Sequence, residues 1–367
     1  MKNVLVLFGG RSVEHDVSII TGLGVIHNIS SEYNSIAVYI DKYGSWWYGE
    51  KLKNICTYKD FDLKNLKKCA ILPNSKSLTI WGKLRKKEIL IYCAINCLHG
   101  HDGEDGAVSG MLQIAGVPST SQSVLSNAVC MDKTMTKTIL SANKIKTVDG
   151  ITLRTDVDIE WDKIEKNIGY PCIIKPNSLG SSIGVSVAKN VDECKRAIEL
   201  AGKYDNEILI EKYLQGCREL NIAVMQDIGE VKTSNIEEVC LNGGVYAFGA
   251  KYKDKTIKRV VPAVLSDKLS QQIQKTAKKI YGILRCSGIV RVDFLYVDDI
   301  LYINEVNTIP GSLACYLWKE PKLNYNALLT KLVENSVKRF DIMDKKVYSI
   351  STDILSKLDD NSFKMSK

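Results

Sequence analysis

The sequence predicts an α/β N-terminal domain followed by two smaller α+β units, within a chain of 367 residues. Strand and helix patterns alternate through the first 125 residues, which is typical of a doubly wound, mainly parallel sheet with helices on both faces. Near residue 146 a glycine-rich loop between two strand patterns begins a small α+β unit. Antiparallel strand patterns with one helix then occupy residues 219–310. We therefore expect an N-terminal substrate domain at 1–125, a central unit at 126–216, a C-terminal unit at 217–340 and a weakly ordered tail at 341–367.

In the N-terminal domain, "NVLVLF", "NSIAVYI" and "EILIYCAINCLHG" have strand patterns, and "VSIITGLGVIHNI" has apolar residues at helical spacing. A short helix, "GAVSGMLQIAG", is expected to stop at Gly116. Parallel sheets bind ligands at the carboxyl ends of their strands. The loops "GGRSVEHDVS" and "LHGHDGEDG" follow such strands, so Glu14 and His99 are candidates for a site.

The later elements are predicted from similar patterns. The stretch "PCIIKPNSLGSSIGVSVAKN" indicates strand, loop and strand, followed by the helix "VDECKRAIELAGKY" and the strand "EILIEKYL". Ser266 is the expected N-cap of the helix "SDKLSQQIQKTAKKIYGIL". A last amphipathic helix is expected over residues 325–338.

Composition indicates a soluble globular protein, with 45% apolar and 25% charged residues. Apolar runs fall short of the roughly 20 residues that span a bilayer, and the N-terminus lacks a signal-peptide core. We expect a cytoplasmic protein without a membrane partner. The eleven cysteines are scattered through apolar runs, which favours buried thiols in a reducing compartment. Cys93, Cys97, His99 and His101 form a metal-like group, but they lack the paired spacing of a zinc site.

The net charge of +8 is local, because eleven Lys and Arg residues lie between Lys51 and Lys87 against only Asp60 and Asp62. Nucleic-acid binding would need such charge within a recognisable stacking or groove-entering module, and we find none. A solvated surface is the favoured interpretation, and a nucleic-acid binder is a distant alternative.

The most informative stretch is "RVDFLYVDDILYINEVNTIPG", residues 291–311. Side chains two apart on a strand share a face, so Arg291 lies beside Asp293, and Glu305 beside Asn307. Two carboxylates and an amide oxygen suit Mg²⁺, which takes oxygen ligands. The alternative is an antiparallel hairpin with a solvated polar face.

The length of the loop in this hairpin determines whether the two carboxylates face each other. We expect a connecting loop of odd length, such as Asp298–Asp299–Ile300, because Asp293 would then face Glu305. A two-residue turn would pair Asp293 with Asn304 and turn Glu305 to the opposite face.

Lys175 ends a strand and precedes a loop of glycines and serines whose N–H groups can surround phosphate oxygens. A plain hairpin loop would look similar. Lys133 is either a second phosphate-binding cation or a surface lysine. Residues 211–214 end a strand that can offer backbone groups to an adenine edge, and Glu219 can accept ribose hydroxyls; a charged edge strand is the alternative.

The joint order of these features resembles the ATP-grasp fold. With "FGGRSVEHDVS", "LHGHDGEDG" and "AVCMDK", the chain resembles the D-alanine–D-alanine ligase family over roughly residues 3–338. The motifs "HGxxGEDG" and "NEVNTIPG" are the most specific parts of the resemblance. It implies ATP-dependent ligation of two D-amino acids through an acylphosphate, for peptidoglycan precursor synthesis, by a homodimer.

The resemblance also implies roles for individual residues. ATP would lie between the central and C-terminal units, with its phosphates, adenine and ribose contacted by Lys133, Lys175, Glu211, Lys212, Leu214 and Glu219. Two Mg²⁺ ions, or Mn²⁺ in their place, would be held by Asp293, Glu305 and Asn307. The first substrate and the reacting groups would be served by Glu14, His99, Ser181, Tyr252, Arg291 and Gly311. The acceptor amino acid would meet Lys251, Tyr316 and Leu317.

The chain departs from the family pattern near the acceptor. Tyr316 stands where the family usually has a serine. Residues 247–249 replace the tyrosine-rich segment that usually precedes the family's mobile loop. Cys217-Arg218 adds a residue before Glu219. A phenol can still donate a hydrogen bond, but it is larger and would reshape the pocket. The acceptor's identity therefore stays open. The alternatives are a D-alanine–D-serine or other D-alanine–D-X ligase, and a catalytically silent ATP-grasp module that binds nucleotide.

Overall fold

Three β-sheets form the frame of the chain in a computed structural model, which describes residues 1–59, 62, 64–227, 229–240, 258–318, 323–359 and 362–363. Within these ranges the sheets have seven, four and five strands. The predicted combination of an α/β N-terminal region with two α+β regions is confirmed.

The first sheet has a parallel centre and an antiparallel extension. Its strands are β1 (Lys2–Gly9), β2 (Tyr33–Ile40), β3 (Trp46–Tyr48), β4 (Lys67–Ile71), β5 (Ser77–Trp81), β6 (Lys86–Leu90) and β7 (Cys93–Asn96). Only β7, β1 and β2 pair in parallel, whereas β2 to β6 pair antiparallel. The lysine-rich stretch thus contains the short strands β4 and β5, which, like β3 before it, the alternating pattern did not predict. The expected single strand at "EILIYCAINC" is divided between β6 and β7.

The five predicted helices are present with shifted ends, and three further helices, α3, α4 and α5 below, were not predicted. They are α1 (His15–Asn28), α2 (Ala107–Ile114), α3 (Val124–Met131), α4 (Lys133–Ala142), α5 (Trp161–Asn167), α6 (Val191–Ala201), α7 (Asp267–Ile283) and α8 (Tyr325–Asp344). Ser266 caps α7 as predicted, because its hydroxyl accepts the N–H of Leu269 at 3.3 Å. Helix α8 continues to Asp344, beyond the expected end at residue 338 and into the predicted tail.

The second and third sheets are antiparallel. The second contains β8 (Gly150–Arg154), β9 (Cys172–Pro176), β10 (Ser186–Ala188) and β11 (Glu207–Lys212), in the order β10-β9-β11-β8. The third contains β12 (Arg218–Asp227), β13 (Glu230–Cys240), β14 (Lys258–Val260), β15 (Ile289–Val297) and β16 (Ile300–Asn307), in the order β14-β13-β12-β15-β16.

The β15–β16 hairpin corrects the predicted turn. Val297 pairs with Ile300, so the loop is the two-residue turn Asp298-Asp299 and the prediction of an odd loop was wrong. Both aspartates have positive φ (49° and 59°), as a tight hairpin turn requires. Regular pairing ends where Phe294 opposes Ile303, and the register then shifts.

The shift is a β-bulge in which Asn304 is the extra residue of β16. Beyond it, Asp293 opposes Glu305, and Arg291 opposes Asn307. The predicted facing of the two carboxylates is therefore present, although the bulge produces it rather than the loop length.

The C-terminal helix returns to the first sheet. Leu328, Leu329 and Leu332 of α8 belong to the same buried cluster as Val6 and Phe8 of β1. Residues 311–318, a short 3-10 segment before α8, pack against α1 in this cluster. The turn after Pro310 is thereby held beside the start of α1. Of the helices described, none has the length and apolar character needed to cross a bilayer.

Candidate active site

A cavity of about 460 Å³ lies between the second and third sheets. Its wall contains all six residues predicted to bind nucleotide and one predicted metal ligand: Lys133, Lys175, Glu211, Lys212, Leu214, Glu219 and Glu305. Val148, Ile173 and Leu295 give the cavity an apolar part. A wall with both cations and apolar side chains suits a ligand with both phosphates and a planar ring.

Two of the predicted cations are held beside the glycine-rich loop. Lys133 donates from Nζ to the carbonyl oxygens of Leu179 (2.6 Å) and Asn177 (3.4 Å). Lys175 lies 2.5 Å from Glu211 Oε2 and 3.4 Å from Asn304 Oδ1. Burial lowers the pKa of Lys175 to about 8, with Lys133 adding to the decrease and Glu305 opposing it.

A third buried lysine, Lys137, was not predicted. Its Nζ contacts Glu211 Oε1 and donates to the carbonyl of Val148 at 3.1 Å. Burial, with the charges of Lys175 and Lys133 nearby, lowers the pKa of Lys137 to about 6, and the charge of Asp149 opposes this shift. The sequence feature that could have identified Lys137 is its position four residues after Lys133, because residues four apart share a helix face. The carboxylate of Glu211 therefore lies between two lysines, which leaves its backbone for the predicted adenine contact.

A second cavity, of about 430 Å³, collects residues from distant parts of the chain. Its wall includes Glu14, His99, Ser181, Arg291, Asn307, Gly311 and Tyr316. The structure thus brings together most of the residues predicted to serve the amino-acid substrates.

Glu14 is buried at the start of α1. The hydroxyl of Ser181 donates to its Oε1. A Cβ atom at Gly180 would lie 2.7 Å from Glu14 Oε2, and one at Gly100 would lie 2.9 Å away. Glycine at these two positions leaves room for the carboxylate. His99 lies alongside, with Nε2 2.9 Å from Thr21 Oγ1.

Glu104 is a partly buried residue that the sequence did not single out, although it belongs to the "HGxxGEDG" motif. Its carboxylate accepts the N–H groups of Gly100 (2.9 Å) and Ile309 (2.8 Å), and so joins the loop after β7 to the loop after β16. Burial, together with the charge of Glu14, raises the pKa of Glu104 to about 7.

The predicted metal ligands lie on two adjacent strands, β15 and β16. Arg291 donates from Nε and Nη2 to the two carboxylate oxygens of Asp293, at 2.6 and 2.7 Å. Asn307 Nδ2 lies 3.0 Å from Asp293 Oδ2. Glu305 lines the first cavity, whereas Asn307 and Arg291 line the second. Two carboxylates and an amide are a donor set that fits Mg²⁺.

Two family models match the sequence of this chain. The model described as D-ala D-ala ligase N-terminus matches residues 3–121, and the model described as D-ala D-ala ligase C-terminus matches residues 139–334. The chain belongs to the D-alanine–D-alanine ligase family.

Relatives of this family match over nearly the whole chain. The D-alanine–D-alanine ligase of Thermosipho melanesiensis is 38% identical over 364 residues, covering 97% of this chain and 98% of the relative. The D-alanine–D-alanine ligase structure from Coxiella burnetii has a TM-score of 0.82 at 27% identity, covering 94% of this chain and 96% of that one. The VanG D-Ala:D-Ser ligase from Enterococcus faecalis has a TM-score of 0.79 at 30% identity, covering 91% and 99%. This ATP-dependent ligase family is the one that the sequence motifs indicated.

Some predicted residues of this ligase-family chain lie elsewhere. Lys251 and Tyr252 fall outside the described residues. Leu317 is fully buried in the cluster shared by α1 and α8 rather than at the wall of either cavity. Tyr316, by contrast, lines the second cavity and donates to Glu237 at 3.3 Å.

The metal-like group of the sequence is not assembled. Cys93 and Cys97 lie buried among apolar residues, where burial raises the pKa of both thiols. Within the described residues, the His, Cys, Asp and Glu side chains close enough to share an ion are those of His101, Asp102 and Asp105, which are partly exposed outside both active-site cavities.

Proposed function

We propose that this chain joins two D-amino acids at the expense of ATP, with D-alanine as donor and D-alanine as the leading acceptor. The observation that supports this most strongly is that Glu305 lines one cavity and Asn307, two residues further along the same strand, lines the other. One cavity has buried cations for a triphosphate, and the other has a buried carboxylate and oxyanion donors. The reaction needs both ligands side by side.

ATP occupies the 460 Å³ cavity in this proposal. Lys133 and Lys175 contact its phosphates, and Lys137 holds the carboxylate of Glu211 beside Lys175. The backbone near Lys212 and Leu214 meets the adenine, and Glu219 accepts the ribose hydroxyls.

Asp293, Glu305 and Asn307 are the groups that would hold two Mg²⁺ ions, with Mn²⁺ as a substitute. When bound, the metal neutralises charge on the phosphoryl group that is transferred. The bidentate pair with Arg291 fixes the orientation of Asp293 at the boundary between nucleotide and amino acid.

The donor D-amino acid lies in the 430 Å³ cavity with its ammonium against Glu14, which Ser181 orients. A carboxylate oxygen of the donor attacks the γ-phosphorus of ATP, which forms an acylphosphate and releases ADP. The amine of the second amino acid then attacks the acyl carbon. The new C–N bond forms as the C–O bond to phosphate breaks, phosphate leaves with the electron pair, and the nitrogen loses a proton.

Arg291 and the N–H of Gly311 face this cavity and stabilise the tetrahedral oxyanion, usually the largest contribution in acyl transfer. Lys251 and Tyr252 belong to the proposed loop that closes the site, since an acylphosphate exposed to water hydrolyses. Lys251 and Tyr316 are the proposed acceptor residues. A catalytically silent module that only binds nucleotide needs no oxyanion donor. The chain has Lys175 and Arg291 together with the proposed metal-binding residues, which argues against that alternative.

A D-alanine–D-serine ligase is the second candidate. It is favoured by Tyr316 at a position where the family usually has a serine, and by the close structural match to an enterococcal D-Ala:D-Ser ligase. Tyr316 narrows the acceptor side of the cavity and brings a hydroxyl there. The identity of the acceptor decides between these candidates.

Phosphate release and product mass test the proposal together. Release is expected only with ATP, Mg²⁺ and D-alanine present, and EDTA should abolish it. Mass spectrometry across a panel of D-amino acids identifies the acceptor. Release with L-alanine alone would contradict the Glu14 site. A homodimer in the cytoplasm, a role in peptidoglycan precursor synthesis and the division at residues 125, 216 and 340 remain predictions.

A further inference from the structure

A buried acid, Glu237, holds two side chains at the wall of the second cavity. Its carboxylate is fully buried and lies 2.9 Å from Arg259 Nη1. The hydroxyl of Tyr316 donates to Glu237 Oε2 at 3.3 Å, and Asn221 Nδ2 donates to the same oxygen at 3.2 Å. Arg259 and Tyr316 both line the cavity, whereas Glu237 lies behind them.

The strand register explains why this group lies beside the reacting centre. Glu237 opposes Asn221, Asn221 opposes Asp293, and Asp293 opposes Glu305. These residues form one cross-strand row on a single face of the third sheet, because directly opposed residues share a face. Arg259 opposes Val239, two residues from Glu237, and so lies on the same face. The row thus runs from the proposed metal ligands to Arg259.

The ion pairs in this part of the sheet allow Arg259 to bind a second anion in addition to Glu237. Arg291 has Asp293 as its bidentate partner, and Arg259 has Glu237. The side chain of Arg259 is 39% exposed, at the cavity wall. A guanidinium carries five N–H groups in a planar fork, so it can contact a buried carboxylate on one side and a ligand carboxylate on another.

We propose that Arg259, oriented by Glu237 beside Tyr316, binds the carboxylate of the acceptor amino acid. The inference rests on the proposed ligase function and adds a specificity residue to it. Glu237 is a positioning residue, because it touches Arg259 and Tyr316 rather than substrate. Arg259 supplies the charge, and Tyr316, which stands where the family usually has a serine, donates its hydroxyl proton to Glu237 and so helps to hold that carboxylate in place.

The competing explanation is that Arg259 only ties β14 to β13. The same sheet offers a matched control for it. Arg218 and Glu238 form an arginine–glutamate pair between β12 and β13, at 2.7 Å for both contacts, away from the residues that line the second cavity. Arg218→Met therefore removes a comparable ion pair without changing the proposed carboxylate site.

Three nucleophiles distinguish a role of Arg259 in binding the acceptor carboxylate from a purely structural role. D-Alanine carries the acceptor carboxylate, D-alaninamide replaces it with an uncharged amide, and hydroxylamine traps the acylphosphate as a hydroxamate without it. Arg259→Met should lower kcat/KM for D-alanine by about 10- to 100-fold, typical for loss of a charged hydrogen bond. Rates with D-alaninamide and hydroxylamine should stay within about twofold. Arg259→Lys should recover part of the loss in kcat/KM for D-alanine. Glu237→Gln should raise KM for D-alanine more than it lowers kcat. The control, Arg218→Met, should change none of the three rates.

Equal losses with all three nucleophiles, in both Arg259→Met and Arg259→Lys, would assign Arg259 a structural role and overturn the proposal. An unchanged preference for D-alanine over D-alaninamide in Arg259→Met would overturn it as well. Failure of the unmodified protein to form hydroxamate from ATP, Mg²⁺ and D-alanine would instead refute the ligase function. The two failures are therefore distinguishable.

Discussion

Asp293 lies directly opposite Glu305 although the hairpin that carries them has an even, two-residue turn. The extra residue Asn304 shifts the pairing by one position and restores this facing. The bulge also brings two consecutive side chains, Asn304 and Glu305, to the wall of the nucleotide cavity. Asn304 reaches Lys175 there, at 3.4 Å. One irregularity in the sheet thus joins the proposed metal site to the proposed phosphate site.

Replacement of Glu305 by glutamine is expected to lower phosphate release by about 100-fold or more, because one of two carboxylates for the metal is lost. The unfolding temperature should change little, since Glu305 is only partly buried. Asp298→Asn, in the exposed turn of the same hairpin, is the control and should keep normal turnover. Near-normal turnover of Glu305→Gln would refute the metal assignment.

The pH dependence of ATP use should follow Lys175. Its pKa is lowered to about 8, so the cation is present below that pH and is lost above it. We expect kcat/KM for ATP to fall as the pH rises through about 8, because kcat/KM reports the free enzyme. Lys175→Arg stays charged throughout this range and should remove that limb of the profile. A limb that persists unchanged in Lys175→Arg would assign the titration to another group.

Replacement of Tyr316 by serine should act on the acceptor. The phenol lines the second cavity and contacts Glu237, so its loss enlarges the pocket and removes one of the hydrogen bonds to that carboxylate. The KM for the acceptor should change while hydroxamate formation from the donor is maintained. Kinetics across a panel of D-amino acids check this, and an unchanged acceptor profile would remove Tyr316 from the pocket.

Leu317, the next residue, should behave differently. Its side chain is fully buried against the core of α1 and α8, so Leu317→Ala creates a cavity there. We expect a loss of about 2–5 kcal/mol in the free energy of unfolding, measured by urea denaturation. Normal stability with an altered acceptor KM would show that Leu317 serves the pocket rather than the core.

Much of this site was readable from the sequence because its residues lie at strand ends and in short motifs. Arg291, Asp293, Glu305 and Asn307 were recognisable as polar residues at strand spacing. The pairing register of the two strands was not recognisable from the sequence. Neither the Asp298-Asp299 turn nor the bulge at Asn304 carries the glycine that usually marks such features.

The residues that were missed act through tertiary contacts. Lys137 reaches Glu211 from a helix 74 positions earlier in the chain, and Glu104 meets Ile309 across 205 positions. No local pattern records such distances. The antiparallel extension of the first sheet was missed because its strands are short and rich in lysine, a residue depleted in strands.

The central claim is that the donor's carboxylate captures the phosphoryl group of ATP before the peptide bond forms. D-Alanine labelled with ¹⁸O in its carboxylate tests this directly, by mass spectrometry of the phosphate released with ATP and Mg²⁺. One labelled oxygen should appear in each phosphate, with the dipeptide formed in equal amount. Phosphate free of label, or label found in AMP, would contradict the acylphosphate route.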